Sequence, residues 1–233
     1  MEKPMTDPIS EVATATGEIA NATGKGIDAT RQAGSYLARI TRLPVETVMA
    51  AWNDRLVVWR FERQIDLLLR AKDKLQSIGI NEPKKYLPLT ITLPLLEAAA
   101  LVEDDYLRDK WENLLANGLY DAPNGEIRRA YVSILEQLTA DDARLLKMVY
   151  DVEAKQFEGI WTGNLPTSLR LATDDDKEHV FPDDATRLSL ENLDRLGCLK
   201  TSRSVWGGSY AYSPIFQTAL GETFMKAVAP PGG

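Results

Sequence analysis

A chain of 233 residues, 44% hydrophobic and 26% charged, has ordinary globular composition and enough length for one large or two small domains. Its net charge of −7 disfavours a protein that coats nucleic acid, because phosphate contacts need an excess of Lys and Arg, although a local basic patch stays compatible with that total. A single cysteine, Cys198, and a single histidine, His179, exclude an intramolecular disulfide and a Cys/His zinc site within one chain.

Residues 9–41 carry a helical stripe: Ile9, Val12, Thr16, Ile19, Thr23, Gly26, Thr30, Ala33, Leu37 and Ile40 recur at alternating spacings of three and four. The stripe is thin, and Gly17, Gly24, Gly26 and Gly34 each weaken helix by about 1 kcal/mol relative to Ala. The segment is therefore expected to fold onto its own domain or a second subunit. An amphipathic contact with a membrane or partner is the sharper alternative. Lys3 is followed by Pro4, Asp7 and Pro8 rather than an apolar run, so no secretory leader is expected. The least polar run, Tyr86 to Leu96, is too short for a membrane span and carries Pro88 and Pro94, so the expected location is cytoplasmic, with membrane association only through residues 9–41.

Pro44 opens a helix expected to run to about Ser77 and stop near Gly79. Its apolar residues, among them Val48, Trp52, Leu56, Trp59, Ile65, Leu68 and Leu75, cover more than one narrow face, which marks a central or interface helix. Trp52 and Trp59, seven apart, are candidate interface anchors. Asn81 to Pro94, broken by Pro83, Pro88 and Pro94, reads as an extended connector. Helices follow: one after Pro94, a second opened by Glu103, Asp104 and Asp105 with Leu107, Trp111, Leu114, Leu115 and Gly118 inward, a third over Ala130 to Leu138, and a fourth capped by Thr139 with Asp142. Asn124-Gly125 breaks the chain between the second and third. Residues 157–182 read as irregular. Asp183 or Asp184 caps the next helix, with Leu188, Leu190, Leu193 and Leu196 inward and Gly197 as its stop. Cys198 to Arg203 and Tyr210 to Ser213 then read as a hairpin around Gly207-Gly208, and a last helix carries Phe216, Leu220, Phe224 and Val228. The expected fold is mostly α: an N-terminal helical segment (1–42), a multi-helix core (43–155), a winged-helix-like module with a small β-hairpin (156–229) and a loose tail (230–233).

Several of these segments resemble the bacterial Abi-alpha (abortive infection alpha) family. The matching residues are Trp111-Glu112-Asn113-Leu114-Leu115-Ala116-Asn117, then Val132 through Leu138 continuing to Asp142, Ala143, Leu145 and Leu146. Leu190, Leu193, Leu196 and Gly197 follow, and then Thr218, Gly221, Phe224 and Ala227. The resemblance implies a role in phage defence and carries no catalytic residues over. Asn113 and Asn117, one helical turn apart, suit capping or bridging of neighbouring backbone.

No phosphate-binding glycine loop or nucleophile elbow is present, and the Glu103-Asp104-Asp105 and Asp174-Asp175-Asp176 runs lack metal-ligand periodicity. His179 reads as a solvated loop residue and Cys198 as a small buried one. The expectation is a non-enzymatic phage-defence protein without metal or cofactor, acting through a protein partner or self-association. A winged-helix DNA-binding regulator is the alternative, with Arg187, Asn192, Arg195, Lys200 and Arg203 as candidate nucleic-acid contacts. Asp183, Asp184, Glu191 and Asp194 offset the positive charge of that region. A membrane-acting effector working through residues 9–41 is a further alternative. The basic run from Arg55 to Lys74 reads as a structural helix with a solvated side.

Overall fold

The computed structural model describes residues 25–44, 47, 58–120, 127–155, 158–173, 175–176, 182–202 and 212–232, with side chains described from residue 32 in the first helix and from 62 in the second. These residues form α1 (Lys25–Thr41), α2 (Val58–Ser77), α3 (Leu89–Ala99), α4 (Asp105–Gly118), α5 (Arg129–Glu136), α6 (Ala140–Asp151), β1 (Ile160–Trp161), β2 (Arg170–Leu171), α7 (Asp184–Arg195), β3 (Leu199–Thr201), β4 (Ile215–Gln217) and α8 (Ala219–Ala227). The chain is mostly helical, with one small antiparallel sheet in the order β2-β1-β4-β3.

Helix α1 buries the end of the predicted stripe: Ala33, Leu37 and Ile40 are sealed in the same core as α2 and α4. It stops at Arg42, whose φ of 54° costs a residue other than glycine about 1 kcal/mol. The expected stop of α2 at Gly79 is present. Gly79 has φ of 80°, its N–H bonds Gln76 O, and Ile80 N–H bonds Leu75 O, a Schellman ending. Val48, Trp52, Leu56 and the residues before 25 lie outside the described residues, as does the side chain of Trp59.

The connector reading of residues 81–94 needs correction. Helix begins at Leu89, directly after Pro88, and Pro94 lies inside it. Pro94 has no N–H to give to the carbonyl of Thr90, four residues back. Arg129 of α5 donates to that carbonyl from Nη1 at 2.8 Å. A long-range hydrogen bond thus replaces the missing helical one, which proline counting cannot foresee.

Every residue from Trp111 to Leu119 is buried, so α4 is the central element. It packs chiefly on α2, and also on α3, α5, α6 and α8. Asp104 caps it by accepting from Leu107 N at 3.0 Å. Thr139 and Asp142 form the expected reciprocal capping box at the start of α6.

Three further corrections fall in the C-terminal region. Residues 157–182, read as irregular, contain β1 and β2, with Ile160 opposite Leu171 and Trp161 opposite Arg170. The strand that pairs with β3 is Ile215–Gln217, past Pro214; of the expected Tyr210 to Ser213, Tyr212 and Ser213 are not in a strand, and Tyr210 and Ala211 lie outside the described residues, as does Gly207-Gly208. Phe216 therefore belongs to a strand, because Thr218 caps α8 by accepting from Gly221 N and ends the extended chain only there. Leu188 faces solvent and is 62% exposed. The buried positions of α7 are Thr186, Leu190, Leu193 and Asp194, and two residues of helix turn about 200°. Leu188 and Leu190 thus cannot share a face.

Candidate functional site

A fully buried stretch of helix that contains Glu112, Asn113 and Asn117 must match those groups internally, since an unpaired buried polar group is costly. Lys74 on α2 provides the match: its Nζ lies 2.5 Å from Asp109 Oδ1, 2.7 Å from Asn113 Oδ1 and 3.2 Å from Glu112 Oε2. Burial pushes the Asp109 carboxyl up, but Lys74 and Lys110 outweigh it and hold the group below the usual carboxylate range. The two asparagines then reach the end of α8. Asn113 Nδ2 donates to Val228 O at 3.1 Å, and Asn117 Nδ2 donates to Ala227 O and Ala229 O, both at 2.8 Å. Final-turn carbonyls lack helical donors, so the two amides supply them. The expected bridging role of Asn113 and Asn117 is present, and this layer is a clamp whose groups are spent on the fold.

The second polar cluster surrounds α7. Asp183 caps the helix by accepting from Thr186 N at 2.9 Å. Asn192 Nδ2 donates to Asp142 Oδ2 at 2.9 Å and to Gln137 O at 3.1 Å, which ties α7 to the start of α6. Arg195 joins the same junction through Gln137 Oε1 at 3.0 Å and Asn192 Oδ1 at 2.7 Å. Lys200 Nζ donates to Asp194 Oδ1 at 2.7 Å. Burial raises the Asp194 carboxyl, yet bonds from Lys200 and Thr201 outweigh it and keep the group ionised below its ordinary range. Arg187 sits 3.1 Å from Asp184 on the exposed side. Of the candidate nucleic-acid contacts, Arg187, Asn192, Arg195 and Lys200 therefore share one region, but Asn192 is turned toward the helix junction and Arg195 and Lys200 hold internal acceptors. Arg203, His179 and Trp52 lie outside the described residues. Cys198 is sealed, and burial pushes its thiol up to about 12, a setting opposite to that of a nucleophile.

One outer face of α7 stays exposed, although Arg195 on it is bonded to Gln137 and Asn192 and Glu191 accepts from the Tyr212 hydroxyl. Asp184, Arg187, Leu188, Glu191 and Arg195 are all exposed and fall within about a third of the helix circumference. Counting leucines hid this face. The helical period places Leu188 on it.

The family model for abortive infection alpha matches residues 61–228. The chain belongs to the Abi-alpha family. Membership implies abortive-infection-type defence. The matched segment of this Abi-alpha chain runs from α2 through α8 and includes both the asparagine clamp and α7. Helix α1 precedes it but shares its core. No curated protein and no solved structure matches the chain. Among the described residues, no helix is long and apolar enough to cross a membrane, and no group of three or more His, Cys, Asp and Glu side chains is placed to hold a metal ion.

Proposed function

We propose that this Abi-alpha chain acts in abortive-infection-type defence as a non-enzymatic protein, and that the outer face of α7, within a winged-helix-like module built from α7, β3, β4 and α8, contacts another protein. Leu188 carries the reading. It is a large aliphatic side chain, 62% exposed, and alternating charges from Asp184, Arg187, Glu191 and Arg195 surround it. A mixed-charge rim around an apolar centre suits a protein surface better than a phosphate backbone, which favours a uniformly basic face. The buried acids and amides of the molecule support the same reading, because Glu112, Asn113, Asp142 and Asp194 are engaged within the fold.

The test is a plaque assay across a broad phage panel with the wild-type gene, without it, and with Leu188→Asp. Protection by the wild type that is lost in a normally folded Leu188→Asp protein is the expected result. Unchanged plating for all three strains across the panel rejects the defence role. Full protection by Leu188→Asp rejects the α7 surface.

A further inference from the structure

Away from α7, the end of α1 and the 82–86 connector bring an unusual set of side chains together. Arg39, Arg42, Lys84 and Lys85 meet there with Glu82, in a chain whose net charge is −7. The backbone fixes the grouping. Leu87 N–H bonds Ile40 O at 2.8 Å, and the N–H groups of Lys84 and Lys85 bond Leu119 O at 2.9 and 3.0 Å. Arg39 Nη1 bonds Glu82 at 2.8 Å, and the Arg42 guanidinium carbon lies 3.5 Å from the centre of the Tyr86 ring. Tyr86 is 40% exposed although aromatic.

Arg42 has the sole positive φ among the described residues other than glycine. A helix ending asks only for glycine at such a position. Arginine there is strained, and what the side chain adds is the guanidinium stacked on an exposed ring. Strain of this kind clusters at functional sites.

We propose that Arg39, Arg42, Lys84, Lys85 and Tyr86 form a binding surface for single-stranded nucleic acid. Cations meet the phosphates, and the Arg42–Tyr86 stack offers a π-face to an unstacked base. A lipid surface fits less well. Membrane docking needs aliphatic side chains beside the cations, whereas, among the described residues there, Leu87 is buried and Leu43 half-buried against the core.

The experiment is fluorescence anisotropy of a labelled single-stranded RNA and a single-stranded DNA oligonucleotide with the full chain, at several salt concentrations. A duplex of the same sequence and flotation with anionic phosphatidylserine vesicles run alongside. Salt-dependent binding of a single strand is expected, weaker for the duplex. Arg42→Gly relieves the backbone, so its fold is retained, and it should bind several-fold more weakly. The reversal Lys84→Glu should weaken binding several-fold and lower the salt slope by about 0.7, the value of one contact to a single strand. Glu82→Gln should bind more tightly. Absence of binding at low salt overturns the proposal, as does binding that Arg42→Gly and Lys84→Glu leave unchanged. Recruitment to vesicles without oligonucleotide binding overturns it in favour of a membrane.

Discussion

Asn113 and Asn117 show how much a four-residue spacing decides. One helical turn moves an amide along the axis by about 5.4 Å, enough for the pair to meet different carbonyls at the end of α8. Asn117→Leu keeps the side-chain volume but leaves Ala227 O and Ala229 O without their donor. It should lose about 2 kcal/mol in chemical denaturation. Tyr36 is the opposite case. Its hydroxyl is buried with no hydrogen-bond partner among the described residues, and burial pushes its pKa up to about 12. Tyr36→Phe removes an unpaired polar atom, so its thermal midpoint should equal or exceed that of the wild type. Asp194 has a defined pH dependence. Its folded pKa lies below the unfolded value, so its contribution is complete above the unfolded pKa of about 3.9 and fades as pH falls through the lower folded one. Asp194→Asn should be less stable at neutral pH, and its denaturation midpoint should fall less steeply than the wild type's below about pH 4.

Elements were legible where their ends are written locally. Asp104, Thr139 with Asp142, Asp183, Gly79 and Gly197 each announce a boundary through a hydrogen bond or a left-handed residue a few positions away. Elements that depend on distant partners were not legible. Helix α3 survives Pro94 because Arg129 serves Thr90 O, and strands of two or three residues such as β1, β2 and β4 carry too few alternations to announce themselves. A double-mutant cycle tests the α3 account. Pro94→Ala restores the helical donor to Thr90 O, so Arg129→Ala should cost about 1 kcal/mol in the wild type and markedly less in the Pro94→Ala background. Equal costs in both would show that the Arg129 bond does not stand in for the helical one.

At the scale of the whole molecule, the division at residue 156 is crossed by close bonds. Tyr150 OH donates toward Cys198 O at 2.8 Å and accepts from Thr218 N at 3.0 Å, while Gln217 Nε2 reaches Val149 O and Val152 O. Gly221 lies so near that a Cβ there would meet Cys198 O and Tyr150 OH at 2.1 Å. The helical core and the sheet-bearing module should therefore unfold together. Far-ultraviolet circular dichroism and tryptophan fluorescence should report one coincident transition, and two resolved transitions would contradict this. Gly221→Ala should lower that single midpoint sharply. The candidate sites divide along the same line. The helical period of α7 already held the outward position of Leu188 in the sequence, whereas the Arg42–Tyr86 stack joins side chains far apart in the chain and has no local signature. Sequence by itself determined the helical class, the caps, most of the buried leucines (Leu188 excepted) and the family pattern, because each rests on periods and bonds spanning a few residues. The tertiary structure alone decided which polar groups are consumed and which stay open, because a side chain's partner is set by packing between distant segments, and local spacing carries no record of it.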